Sequence, residues 1–131
     1  MSQSTVYTEQ HKPSDWLKGE TEDPKDFSRD TITLLSGQNL ISGTVLAKLT
    51  SGGKAVEFDA GASAGAGSDT AIGILYVDTD ATDGDVLCTY ISRDAVIDAD
   101  GLTWAANISG GQKTTALATL KGLGIIARTG A

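Results

Sequence analysis

Arg29–Lys54, RDTITLLSGQNLISGTVLAKLTSGGK, is the stretch on which the fold turns. Ile32 and Leu34 alternate with Thr31 and Thr33, the two-residue period of a strand with one buried face. The turn residues Gly37-Gln38-Asn39 interrupt it, and Val45, Ala47 and Leu49 then share one face of a second strand. Ser51-Gly52-Gly53-Lys54 is a hairpin signal, after which Val56 and Phe58 restart the alternation. Strand and glycine turn therefore succeed one another twice within this stretch.

Downstream the pattern persists. Ala60–Ser68, AGASAGAGS, reads as a loop by composition, and Ala71–Val77, AIGILYV, as a buried strand. Asp83-Gly84 turns the chain into Val86–Ile91, and Ala95–Ile97 is a further short strand ended by Asp98-Ala99-Asp100-Gly101. The period then changes. Ser109 and Gln112 have capping-box spacing, and Ala116, Leu117 and Leu120 line one helical face. Gly122 suits the left-handed stop, and Leu123–Ala127 would close as a strand. The expected fold is mainly β, a small barrel or sandwich of β-clip-like character with one short C-terminal helix.

Upstream lies a different kind of chain. Residues 1–30 carry four basic and seven acidic groups and both prolines, Pro13 and Pro24. Their large apolar residues come singly or in pairs: Val6 with Tyr7, Trp16 with Leu17, then Phe27. That spacing cannot fill a core, yet it exceeds what a solvated linker needs. Two readings stand: a tail that orders on a partner, or an arm folded back on its own domain or a neighbouring subunit. The division expected is an arm over 1–30 and a β-rich domain over 31–131.

Composition narrows function. The net charge of −7 argues against nucleic acid, because phosphate contacts need clustered Lys and Arg, and it disfavours anionic membranes. The lone Cys88 cannot form an intrachain disulfide, which is compatible with synthesis in a reducing cytoplasm. No basic leader with an apolar run and no membrane-length apolar stretch is present.

Candidate chemistry is thin. His11, the single histidine, sits in the arm, away from any rigid scaffold that a triad or zinc site requires. Cys88 alternates with Leu87 and Thr89 and reads as a small buried hydrophobe. Asp78, Asp80, Asp83 and Asp85 are the most metal-like group, but Asp83 falls where a calcium loop needs glycine and Thr89 where it needs glutamate. Gly61, Gly65 and Gly67 run into a strand, not a helix, and so do not form a phosphate loop. Lys54 at a hairpin tip has the placement of a swinging-arm lysine, with the exposed turn lysine as the plain reading. Trp104 would either pack in the core or anchor a subunit interface. Neither an enzyme nor any cofactor or metal is expected.

With those residues in view, the chain resembles the head decoration proteins of lambda-type tailed bacteriophages over about residues 29–128. TLLSGQNLISGTVLAKL, AIGIL, VLCTYISRDAVIDADGLTW and ALATLKGLGII carry the resemblance in that order. It implies a virion protein on the outer surface of the phage head, a homotrimer at threefold and quasi-threefold sites that stabilises the expanded shell against packaged DNA. Its partner would be the major capsid protein, with no nucleic acid or membrane contact. The resemblance also implies an N-terminal arm, flexible in the free trimer, that orders on the shell by strand addition. On this chain Thr5, Val6, Tyr7 and Thr8 are the candidate contact residues, with Trp16 further along the arm. Removing residues 1–29 is then expected to leave the domain folded and to weaken shell binding. The rival reading is a β-clip-type module for sugars or other small ligands, or a virion adhesin, suggested by Ile41–Leu46. It predicts a concave site with convergent polar and aromatic groups.

Overall fold

The computed structural model describes residues 13–20, 28–61, 65–106 and 108–129. The strands are β1 (Leu17–Glu20), β2 (Arg29–Leu34), β3 (Asn39–Leu40), β4 (Val45–Lys48), β5 (Ala55–Glu57), β6 (Ala71–Leu75), β7 (Thr79–Asp80), β8 (Val86–Ile91), β9 (Ala95–Asp98) and β10 (Ile125–Arg128). One helix, α1 (Gly110–Gly122), crosses between β9 and β10. Strands β2-β5-β4-β6-β8 close a barrel, β1-β9-β10 form a three-stranded sheet, and β3 pairs with β7. The mainly β architecture with one late helix is as the periodicities predict.

The alternation of apolar residues explains how one small barrel supports two cores. Leu34, Leu46, Ala55, Leu75 and Cys88, one from each barrel strand, share a cluster inside the barrel. Val45, Ala47, Val56, Ile74 and Ile91 face the other way. There they meet Ala95 and Ile97 of β9, Ala116 and Leu120 of α1, and Ile125 of β10. Strand β4 is buried on both faces, so the shared face of Val45 and Ala47 is only half of its contribution.

Close approach of backbones fixes the barrel at β6. A Cβ on Gly73 would stand 2.2 Å from the Ile91 carbonyl oxygen and 2.7 Å from Tyr90 Cδ2. The hairpin signal at Ser51–Lys54 joins β4 to β5 as expected, with Gly52 at φ 89° and Gly53 at φ 70°. At α1, the Ser109 hydroxyl accepts from the Gln112 amide and the Gln112 side chain accepts from the Ser109 amide, completing the capping box.

Three expectations change. The helix stop is Gly124 at φ 88°, not Gly122, which is still helical. The amides of Leu123 and Gly124 close the last turn on the carbonyls of Leu120 and Lys121. The strand expected over Ala71–Val77 ends at Leu75, and the β3–β7 pair carries no sequence signal because two-residue ladders leave no period to read. The third change concerns the arm. Pro13–Glu20 and Ser28–Asp30, placed in the arm by sequence, belong to the folded body: β1 lies antiparallel to β9, and β2 begins at Arg29. Residues 1–12 and 21–27, with Thr5, Val6, Tyr7, Thr8 and His11 among them, lie outside the described residues.

Candidate functional site

The most highly constructed feature is the clasp by which the N-terminal segment enters the body. Trp16 is fully buried, within the cluster between the barrel wall and the three-stranded sheet. Its backbone is held on both sides, the amide donating to the Pro13 carbonyl (3.1 Å) and the carbonyl accepting from the Asp98 amide (2.7 Å). Its indole Nε1 donates to Ser42 Oγ at 2.9 Å. Ser42, itself buried, donates its hydroxyl to the Tyr76 carbonyl (2.7 Å) and its amide to Asp78 Oδ1 (2.8 Å). A buried indole N–H needs a partner, and Ser42 supplies one that is already fixed. A Cβ on Gly101 would stand 2.4 Å from the Asp15 carbonyl oxygen, so glycine there lets the segment lie flat.

The far end of β1 is fastened by charge. Arg29 Nη2 meets Glu20 Oε1 at 2.5 Å, Arg29 Nε meets Oε2 at 3.2 Å, and Ser28 Oγ donates to the same carboxylate. The guanidinium also lies 4.2 Å over the Tyr76 ring. The hydrogen bond to Glu20 raises the Arg29 pKa further above its usual range. The arrangement fixes Pro13–Glu20 to the body through an immobilised tryptophan at one end and an ion pair at the other.

In this structure Trp16 is an internal anchor, as the reading of an arm folded back on its own domain has it. Its pairing partner Ser42 gave no sequence signal, because the serine of a glycine turn is ordinarily solvent-facing. Trp104 is half-buried and meets the Phe58 ring edge-on, with centroids 6.4 Å apart and planes at 71°. Trp104 packs against the same core cluster that holds Trp16.

The other candidates take ordinary roles. Asp78 serves Ser42, the Asp80 carboxylate accepts from Thr82, and Asp85 pairs with Lys54 at 2.5 Å while accepting from the Ser36 amide. No three metal-ligating side chains converge among the described residues. The hydrogen bonds from Thr82 and from Lys54 hold Asp80 and Asp85 below the usual carboxylate range. Lys54 is occupied by that ion pair rather than free to swing. Burial raises the Cys88 thiol to about 11, so it carries almost no thiolate at neutral pH. Native protein at pH 8 is expected to resist a thiol-specific disulfide reagent, and unfolded protein to react fully. Rapid native labelling would show that the barrel interior opens.

A cleft of about 600 Å³ lies between the Asp59–Ser68 loop and the start of α1, lined by Leu35, Leu49, Val56, Glu57, Asp59 and Gln112 among others. No aromatic side chain is among its described lining residues, which sets it apart from the concave aromatic site of a sugar-binding module. Burial, then Asp59, raises the Glu57 pKa. A raised carboxyl pKa in the native state means stability falls as pH climbs through the ordinary carboxylate pKa toward the folded one. Glu57→Gln is therefore expected to stabilise the protein modestly at pH 7 and not at pH 3.5, where both states carry a protonated carboxyl. Equal effects at both pH values in denaturant titrations would refute this.

Comparison with known families gives one result that spans this geometry. The family model described as "Bacteriophage lambda head decoration protein D" matches residues 6–125, most of the chain. No curated protein matches.

Proposed function

The chain belongs to the bacteriophage lambda head decoration protein D family, and from that premise we propose that it acts as a homotrimer clamped to the expanded head. It sits on the outside of the shell at threefold and quasi-threefold positions and resists the pressure of packaged DNA. Membership makes it a structural phage head decoration protein and implies a place in the virion. The partner is the major capsid protein, synthesis is in the host cytoplasm, and neither nucleic acid nor membrane takes part.

The observation that carries the mechanism is the clasp. A tether works best when its base is fixed, and Trp16, Ser42 and Asp98 fix the base of residues 1–12. In this reading Thr5, Val6, Tyr7 and Thr8 add a strand to capsid elements, while Trp16 aims the arm without touching the shell. The half-exposed part of Trp104 is the surface that an interface role would use. Three arms on one trimer bind in succession at high effective concentration, and such linkage raises avidity by about 10²–10⁴ over one arm.

The test is co-sedimentation with expanded, undecorated heads, comparing the intact chain with one lacking residues 2–12. That cut leaves the clasp whole, whereas removal of residues 1–29 would take Trp16 and β1 with it. Saturable binding in multiples of three that needs residues 2–12 is expected. Undiminished binding by the shortened chain would assign the holding to the domain face, and no binding by the intact chain would overturn the reading.

A further inference from the structure

Helix α1 has unlike ends. Its start borders the cleft of about 600 Å³, where Leu35, Leu49 and Ile108 supply an apolar wall and Glu57 and Asp59 two carboxylates. No basic side chain is among the described lining residues. Neither carboxylate enters an ion pair among the described residues. Asp59 Oδ1 accepts from the Gly61 amide at 3.0 Å, and the Glu57 amide donates to Gln38 Oε1 at 3.2 Å, so both residues are held at the cleft. Burial and then the Asp59 charge raise the Glu57 pKa, a penalty on the carboxylate that a cation in the cleft would relieve.

The opposite end carries the counterpart. Lys121, in the last turn, is exposed and enters no ion pair among the described residues. Leu123, the cap residue, is 40% exposed. The amides of Leu123 and Gly124 close that turn on the Leu120 and Lys121 carbonyls, so an apolar side chain and a cation stand together on a fixed base. A lysine can lay its methylene stem on apolar surface while the ammonium meets a carboxylate, and the cleft offers both.

We infer that a second copy of this chain fills the cleft with the end of its own α1. Leu123 packs on Leu35, Leu49 and Ile108, and Lys121 lies between Glu57 and Asp59. The inference rests on the oligomer proposed above and names the two surfaces that join it. A chain cannot fill its own cleft, because the 13 residues of α1 hold the two ends about 18 Å apart. The contact is heterologous, one end of α1 against the other, and such contacts build a ring where the rotation closes. At a net charge of −7 the copies repel at long range, so association depends on a local meeting of opposite charge.

Charge reversal tests the pairing, read by sedimentation velocity over a dilution series, with circular dichroism to check the fold. Glu57→Lys and Lys121→Glu, each alone, set like charges together in every contact and are expected to weaken association by about tenfold or more. Both in one chain restore the pair with its signs exchanged, and assembly is expected to recover. Association unchanged in a folded single variant overturns this contact and leaves the proposed oligomer standing. A folded double variant that stays apart overturns the contact too. An intact chain that is monomeric at every concentration overturns the oligomer and the contact together. Glu57→Gln supplies a result that misfolding cannot imitate. It is expected to stabilise the separated subunit, as argued above, and yet to weaken assembly; unweakened assembly refutes the pairing.

Discussion

Trp16→Ala is expected to destabilise the domain by about 3–5 kcal/mol, the usual cost of emptying a buried aromatic site. The figure is a large share of the roughly 5–15 kcal/mol that holds a domain of this kind together. The indole is fully buried in the larger core cluster, and its removal leaves a cavity lined from the barrel wall, β9 and α1. Ser42 loses the donor to its hydroxyl but keeps its own bond to the Tyr76 carbonyl. Trp16→Phe retains most of the apolar contact and is expected to cost clearly less. Urea titration of the intact chain and both variants gives the comparison. If Trp16 belonged to a partner-seeking arm, Trp16→Ala would leave the midpoint unchanged and weaken only head binding. An unchanged midpoint would therefore refute the clasp.

Gly73→Ala carries the second large effect. The added methyl would stand 2.2 Å from the Ile91 carbonyl oxygen, a backbone atom with no rotamer to change. Strands β6 and β8 must separate there, where Ile74 pairs with Ile91 and Leu75 with Tyr90. Overpacking commonly costs about 1–3 kcal/mol, and a clash with backbone lies at or beyond the top of that range. Gly84→Ala is the control, since nothing stands within 4 Å of its added Cβ. A Gly73→Ala protein as stable as Gly84→Ala would mean that β6 and β8 are not held in this register.

Most of the barrel was legible because its strands alternate. Thr31–Leu34, Val45–Leu49 and Val56–Phe58 each carry a two-residue period, the Asp83-Gly84 turn marks the start of Val86–Ile91, and Ser109 with Gln112 marks the helix start. Strand β1 was not legible. LKGE has neither alternation nor strand-favouring composition, and it forms because β9 offers an edge and Trp16 a pocket. Both are long-range partners that no local window contains. The same reason hid the role of Ser42, which depends on meeting an indole 26 residues earlier in the chain. Gly122 and Gly124 show the limit on boundaries, since two glycines at a helix end both satisfy the stop rule and only the φ angles separate them.

The sheet that receives β1 is made from the two extremes of the chain and a strand near its last third. Its partner β9 is residues 95–98, and the core cluster that holds Trp16 includes Leu120 and Ile125. During synthesis the N-terminal segment leaves the ribosome first and finds its berth last. At about 5–20 residues per second, it waits several seconds for the residues that will hold it. A prematurely terminated product, lacking β9 or the end of α1, never acquires a seat for the tryptophan. Only a chain synthesised through β10 can seat the tryptophan, so the clasp closes last and marks the point at which the three-stranded sheet is whole.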